Sequence, residues 1–307
     1  MSDCTLLGLV KGDRLEPSVL HRDVVSIDQR RDFPFQISVW TWDPNSLCRH
    51  RNPLLDPSTY LTPDRFVADE MHTMHLGLFD RFCSTALWAC VAENIFQVGI
   101  GRTMDHREEM MAQRIEKDLT AWYAAEKKRY PAKPVHQLAD FKLACLGPKD
   151  GPTLVGPKAA ETGTLVLYTV DLLRRYKDRL ERGEALYAAG QCLCKYLSIS
   201  RTAGPRLSMA QRQSILDAVV RFNACREAAG LAWSPKFHLA LHLVQQCGEF
   251  GNPLHRATWV DESLNRQLRD VCSKAHALVW TRRVLTTMMH VLATTKTGQQ
   301  VKRRRTD

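Results

Sequence analysis

One segment of this 307-residue chain organises the interpretation of the rest: residues 68–79, which read ADEMHTMHLGLF. Apolar residues at helical spacing continue from this segment to residue 91 and fall on two faces of one helix. The first face carries Met71, Met74, Leu78 and Phe82, and the second carries Leu76, Phe79, Cys83, Leu87 and Val91. A helix that is apolar on most sides is buried. The sequence therefore predicts a central helix starting near Asp69.

Three polar residues, Asp69, His72 and His75, recur every three positions along this apolar helix. Residues three apart stack on one helical face. An acid and two imidazoles in this arrangement can bind a metal ion. They can equally be a capping Asp followed by hydrogen-bonded core histidines, and the pattern leaves both interpretations open.

A second informative segment, residues 234–243, reads SPKFHLALHL. Ser before Pro is typical of a helix that begins at the proline. His238 and His242 then lie one turn apart, the spacing at which a helix chelates zinc, which makes both weak candidate metal ligands. Leu239 follows His238 where the H-E-x-x-H motif of metalloproteases has Glu, so hydrolytic zinc chemistry is not expected.

Glu262 lies on a predicted helix over residues 258–274, away from its apolar stripe and on one face with Arg266 and Arg269. It can form an ordinary surface pair with Arg266. It can also bind a divalent ion while the guanidinium groups hold neighbouring phosphates. Asp261 competes with Glu262 for that role.

Short strand-like runs at residues 5–10, 23–28 and 35–42 precede the helical part. Asp28 ends one of them, as an active-site acid at a sheet edge would, although a turn-forming Asp is the favoured interpretation. The predicted class is therefore mainly α with a small N-terminal β part (α+β).

The predicted organisation has five parts. Residues 1–68 hold the short strands and a Pro-rich loop, and residues 69–150 form a helical part. Residues 151–233 form a further helical block after a Gly/Pro linker. Residues 234–295 carry the His-x-x-x-His helix and the Glu262-bearing helix that close the core, and residues 296–307 form a basic disordered tail. The predicted helices before residue 234 are 105–129, 135–146, 159–180, 184–199 and 208–230.

Composition limits the possible partners. The 43 Lys and Arg residues against 33 Asp and Glu give a net charge of +10, which suits a polyanionic partner. No apolar run is long enough to span a membrane. The ten cysteines at irregular spacings, without a signal-peptide layout before them, indicate a soluble intracellular protein with reduced thiols.

The motif Asp-x-Met-His followed by Leu-Gly-Leu, and the later Pro-Lys-Phe-His-x-x-x-His followed by Phe-Gly-Asn and an acidic residue, resemble the C-terminal half of CACTA-type DNA transposases. The resemblance covers roughly residues 52–295 and implies a ribonuclease H-like core with a helical insertion. It also implies an Asp-Asp-Glu metal triad. Glu262 would be the third acid, Asp69 and His72 the signature that supports the site, and Asp28 a weak candidate for an upstream acid.

The implied reaction is DNA strand cleavage and strand transfer with Mg²⁺ or Mn²⁺ bound by Glu262 and Asp69. DNA contacts are expected from Lys236, Arg266, Arg269, Lys302, Arg303, Arg304 and Arg305. Only 68 residues precede Asp69, too few for a complete five-stranded core. The expectation is a transposase-derived, nuclear DNA-binding relic that self-associates or joins a full-length transposase. The alternative is a helical protein-interaction module without DNA chemistry.

Overall fold

The computed structural model describes residues 67–99, 103–132 and 134–259, together with the positions 25–26, 36–37, 262, 269–270, 272–273, 285–287 and 289. The chain divides into two compact units, Met1–Pro253 and Leu254–Asp307. The described part is mainly helical, as the sequence predicts. None of its helices is long and apolar enough to cross a membrane.

Two very short strands pair near the N-terminus. Strand β1 (Val25–Ser26) runs antiparallel to β2 (Gln36–Ile37), with Val25 opposite Ile37. These positions fall inside two of the predicted strands. The predicted strand over residues 5–10 and the candidate acid Asp28 lie outside the described residues, so a ribonuclease H-like core remains a prediction.

The segment around His72 is the centre of the first unit. It begins as a π-helix (Met71–Phe79) and continues directly as α1 (Asp80–Ala92). Met74, Leu78 and Phe82 are fully buried, which confirms the prediction of a central, largely apolar helix. The π-helical geometry was not predicted: Leu76, with φ −92° and ψ 20°, interrupts the regular backbone.

Helix α2 (Met104–Arg129) matches the prediction for residues 105–129. Its first turn is closed by Thr103, whose hydroxyl accepts a hydrogen bond from the amide of His106 at 3.2 Å. Met111, Ile115 and Leu119 form its buried stripe. The rest of the helix is charged, as expected for one wet face.

The predicted helix over residues 135–146 is wrong. Only a 3₁₀ turn at Leu143–Leu146 is helical there. The preceding stretch has no regular structure, and side chains from other helices bond this region: the Tyr123 hydroxyl accepts the amide hydrogen of Leu138 at 3.2 Å, and Ser84 donates to the carbonyl of Leu146 in the 3₁₀ turn. Tertiary hydrogen bonds have replaced the helical ones.

Three helices form the block that follows. They are α3 (Ala159–Tyr176), α4 (Gly183–Thr202) and α5 (Met209–Cys225), with a 3₁₀ turn (Lys177–Arg179) between α3 and α4. Helix α4 packs between α3 and α5. The predicted capping box is present, because the amide of Ser208 donates to Gln211 Oε1 at 2.9 Å and the amide of Gln211 donates to the Ser208 hydroxyl at 3.2 Å.

Helices α6 (Pro235–Gln245) and α7 (Cys247–Phe250) follow. Helix α6 begins as predicted, with Pro235 at its first position and the Ser234 hydroxyl accepting the amide hydrogen of Lys236. The chain then turns at Asn252, whose side-chain amide donates to the Ser200 carbonyl at 2.9 Å. This bond ties the end of α7 to α4.

Candidate functional site

The two motif-bearing segments meet in the fold. The π-helix packs directly against α6. Lys236 donates from its ammonium group to the carbonyl of Leu76, 160 positions earlier, and the amide of Ala68 donates to Gln246 Oε1 at 2.9 Å across 178 positions. The Asp-x-x-His segment and the Pro-Lys-Phe-His helix therefore pack against each other.

The contact between Lys236 and the π-helix lies at the irregular part of the backbone. The amide of Asp80, which would bond the Leu76 carbonyl in an α-helix, bonds the Gly77 carbonyl, and the Lys236 ammonium bonds the Leu76 oxygen. Gly77 provides the space, because a Cβ at this position would lie 2.7 Å from Lys236 Cδ. The Leu-Gly-Leu and Pro-Lys-Phe motifs thus fit each other physically. The expected role of Lys236 in contacting DNA remains a prediction beside this intramolecular one.

Asp69 and His72 form a hydrogen-bonded dyad. One carboxylate oxygen of Asp69, Oδ2, accepts both the amide hydrogen of His72 at 2.8 Å and the ring Nδ1–H of His72 at 2.7 Å. Asp69 is buried, whereas the His72 side chain is 32% exposed. Because a carboxylate can only accept, Nδ1 of His72 carries a hydrogen. The dyad caps the helix and orients an imidazole.

His75 lies in a different environment from His72, although both belong to one short segment. Its Nδ1 bonds the Ala159 carbonyl at 2.7 Å, and its ring packs edge-on against Phe79 at 4.8 Å between centroids. Burial lowers the pKa of His75 to about 4. His75 is therefore a neutral, hydrogen-bonded core histidine, one of the two interpretations that the sequence left open.

Gly163 on α3 makes this burial possible. A Cβ at that position would lie 2.5 Å from His75 Cε1, so any larger residue would overlap the imidazole ring. The Ala159 carbonyl belongs to the start of α3, where the amide of Lys158 donates to Glu161 Oε2 at 2.8 Å. The His75 ring is thus part of the interface between the π-helix and α3.

Glu70 is a buried acid that the sequence analysis missed. Its side chain is completely inaccessible to solvent, and Oε1 accepts a hydrogen bond from the Tyr196 hydroxyl at 3.0 Å. Glu70 stands between Asp69 and Met71 on a helix that is apolar on most sides, which was the available signal. Its partner lies 126 positions away on α4, so no local pattern identifies the pair.

His238 and His242 face each other on α6 as the i,i+4 spacing predicts. Their Nε2 atoms are 2.7 Å apart, and the ring centroids are separated by 4.5 Å. Burial lowers the pKa of both imidazoles, and for His242 the neighbouring His238 adds to the effect. Both side chains are half-buried.

The basic stretch at the end of α3 makes mostly intramolecular contacts. Arg175 forms a bidentate pair with Asp118, at 3.0 and 2.6 Å, and Arg174 pairs with Asp171 at 2.7 Å. Arg179 donates to the Ile95 carbonyl at 2.6 Å. Arg175 fastens α3 to α2, whereas Arg174 pairs within α3. Intramolecular pairing of these guanidinium groups makes the stretch a poor surface for phosphate.

The remaining predicted site residues belong to the second unit or lie outside the described residues. Glu262 is exposed in the second unit, and its amide donates to the Thr258 carbonyl at 2.9 Å, as in a helix. Arg269 is also exposed there and lies 3.9 Å from Asp270. The positions outside the described residues are Asp28, Asp261, Arg266, Lys302, Arg303, Arg304 and Arg305. A shared pocket of Asp69, His72 and Glu262 remains a prediction.

Replacing Asp69 tests the dyad. Asp69→Ala removes the helix cap and the partner of His72, so we expect the free energy of unfolding to fall by about 1–2 kcal/mol. Asp69→Asn keeps an oxygen acceptor for the His72 amide and should lose less than half as much. Urea unfolding of the two variants measures the difference. Equal losses would show that the carboxylate charge, not the cap, stabilises this end of the helix.

Within residues 67–99, 103–132 and 134–259, no group of three or more His, Cys, Asp or Glu side chains is arranged to share a metal ion. The assembled features are therefore a positioned imidazole at His72, a buried Glu70–Tyr196 pair and a contact between two histidines on α6. The chain as a whole matches no protein-family model, no curated protein and no solved structure.

Proposed function

We propose that this chain is a transposase-derived DNA-binding protein that keeps part of the scaffold of a strand-cleaving enzyme. The observation that best supports this proposal is the direct contact between the π-helix and α6. The resemblance to CACTA-type transposases rests on motifs in these two segments. If the two motif matches were due to chance, there would be no reason for the segments to be in contact. Segments that descend from one ancestral site are expected to lie together.

The proposal extends to the finer architecture. The N-terminal strand-like region would be the remnant of a ribonuclease H-like core, and the block of α3, α4 and α5 would correspond to the helical insertion that precedes the third acid. The mainly helical composition of the described part agrees with that division. The protein would act in the nucleus, alone, as a self-associated form or with a full-length transposase.

The net charge of +10 supports DNA as the partner. The cationic side chains at the end of α3 are bound to acids and carbonyls. Phosphate contact is therefore assigned to Arg266, Arg269 and the basic tail at residues 302–305, with Lys236 as a further candidate. Contact between such cations and phosphates releases counterions, and this release drives the binding.

The residues that would hold Mg²⁺ or Mn²⁺ are Glu262 and Asp69, with Asp28 as a weak candidate for an upstream acid, and such ions would promote attack of water or a 3′-hydroxyl on a phosphodiester. Asp69 Oδ2 already accepts two hydrogen bonds from His72, so in the observed arrangement this oxygen holds the imidazole. The dyad therefore suits a positioning role. The proposal therefore rests on DNA binding and contains no catalytic step.

Salt-dependent binding to a fluorescent DNA duplex tests the proposed partner. We expect log Kd to rise with log salt concentration. The slope should be smaller by about 0.9 in Arg269→Ala, because the loss of one phosphate contact reduces the number of counterions released on binding. Arg114→Ala, which removes an exposed cation from α2, is the matched control and should leave the slope unchanged. Absence of binding at low salt would contradict the proposal and favour the helical interaction module.

Incubation of supercoiled DNA with Mg²⁺ or Mn²⁺ separates a relic from an enzyme. We expect binding without nicking. Metal-dependent nicking that disappears in Glu262→Ala would instead show an intact acid site and would overturn the relic part of the proposal. The DNA-binding part would survive that result.

A further inference from the structure

The two histidines of α6 form a contact that the proposed function does not use. Their Nε2 atoms lie 2.7 Å apart, with the ring planes inclined at 72°. At this distance one Nε2 carries a hydrogen and donates, while the other offers its lone pair. A single proton therefore joins two nitrogens that are both metal-ligating atoms in their deprotonated form.

The backbone holds this pair in register. Helix α6 is capped by Ser234 and begins at Pro235, and the Phe237 ring is stacked on Phe222 at 5.7 Å with the planes 8° apart. Ala240 and Leu243 are fully buried on the side that faces the core. A helix anchored on its other faces fixes the backbone spacing of the two histidines, which is the preorganisation that a binding site needs.

The protonation state of His238 and His242 also suits a metal ion. The environment lowers the pKa of both rings through burial, so they are neutral at pH 7. Neutral imidazole is the form that binds zinc, copper and nickel ions, whereas Mg²⁺ prefers carboxylate oxygen. The pair therefore selects a different class of cation from the acids of a transposase site.

We propose that His238 and His242 form a two-imidazole binding site for a divalent transition-metal ion of the zinc, copper or nickel class. The metal ion takes the place of the shared proton between the Nε2 atoms, and the donating ring moves its hydrogen to Nδ1, so both rings stay neutral. Two bonds of about 2.0–2.1 Å at a tetrahedral angle place the nitrogens about 3.3 Å apart. The rings need to open by roughly 0.6 Å, which side-chain rotation provides.

The pair supplies two of the four ligands of a tetrahedral site. In the part of the chain that the structure describes, no third His, Cys, Asp or Glu is arranged to join the pair. Water or an added donor then completes the coordination sphere, as in metal sites that keep an exchangeable position. The inference stands on α6 alone and does not depend on DNA binding.

Calorimetric titration of the full-length protein with Zn²⁺ tests the site. We expect an imidazole-dependent site whose affinity falls by more than about tenfold in His238→Gln and in His242→Gln, since loss of a ligand costs at least as much as loss of an outer-shell partner. His106→Gln, which removes an exposed histidine from α2, is the matched control and should bind like the parent. Far-UV circular dichroism checks that each variant is folded.

A second measurement does not rely on variants. Zn²⁺ should shift the Nε2 resonances of two imidazoles in ¹⁵N spectra of the unaltered protein, and Co²⁺ should bind without the thiolate charge-transfer band that cysteine ligands give. Unchanged Zn²⁺ affinity in His238→Gln and in His242→Gln, or Co²⁺ spectra dominated by thiolate, would overturn the proposal. In that case the two histidines are a hydrogen-bonded pair only.

Discussion

Phe79→Ala is expected to lower the free energy of unfolding by about 3–5 kcal/mol, the largest effect among the substitutions considered. Phe79 ends the π-helix, is completely buried, and contacts His75 at 4.8 Å and Tyr196 at 6.3 Å between ring centroids. Its removal leaves a cavity between the π-helix and α4. Urea unfolding followed by circular dichroism measures the loss.

Met209→Ala is the control for Phe79→Ala. Met209 begins α5 and is 79% exposed, so its truncation should change stability by less than about 0.5 kcal/mol. A loss of less than about 1 kcal/mol in Phe79→Ala would show that the centre of the unit collapses around the missing ring. The ring would then not be a determinant of the π-helix position.

Acidification from pH 7 to pH 4 is expected to remove up to about 3 kcal/mol of stability through His75 alone. The pKa of His75 is lowered by burial from 6.5 to about 4. Between pH 6.5 and pH 4, His75 binds a proton in the unfolded chain but not in the folded protein. Stability is therefore fully present above pH 6.5 and falls as the pH approaches 4.

His75→Gln isolates this contribution. A Gln side-chain amide can still donate to the Ala159 carbonyl, but it does not titrate. The free energy of unfolding of the variant should decline less steeply between pH 6.5 and 4, by about 1.4 kcal/mol per pH unit at most. His106→Gln should keep the parental slope, because that histidine is exposed. Identical slopes in all three proteins would contradict the burial of a neutral His75.

Other groups also affect the pKa of His75, and they must be the same in the parent protein and in His75→Gln. Arg201 and His136 act to lower the pKa of His75, whereas Asp69 and the bond to the Ala159 carbonyl act to raise it. Asp80 is a second buried group, whose pKa is raised by burial, so its contribution to stability grows at acid pH. Because Gln at position 75 leaves those groups in place, the difference between the two proteins reports His75.

Much of the candidate site could be predicted because its determinants are local. Asp69 and His72 are three positions apart, and His238 and His242 are four apart, so helical geometry alone brings each pair together. The same reasoning identified Ser234 with Pro235 and Ser208 with Gln211 as helix starts. Caps involve residues within one turn of each other, and the sequence displays them directly.

The missed features have partners far along the chain. Glu70 bonds Tyr196, Ala68 bonds Gln246, and the amide of Leu138 bonds the Tyr123 hydroxyl. Each is a polar group whose hydrogen bond is satisfied only after packing. A periodic pattern reports which face is apolar, but it does not identify which distant side chain will meet a buried acid or amide.

The sequence by itself determined the helical class, the main helix starts, the buried character of the segment after Asp69 and the histidine pair on α6. Only the tertiary structure decided that this segment opens as a π-helix and that His75 belongs to the core while His72 reaches the surface. The physical reason is that spacing along a helix fixes neighbours within a turn. The path of the backbone at Leu76 depends on Lys236, which arrives from another helix, and the neutral state of His75 depends on α3 excluding water from its ring.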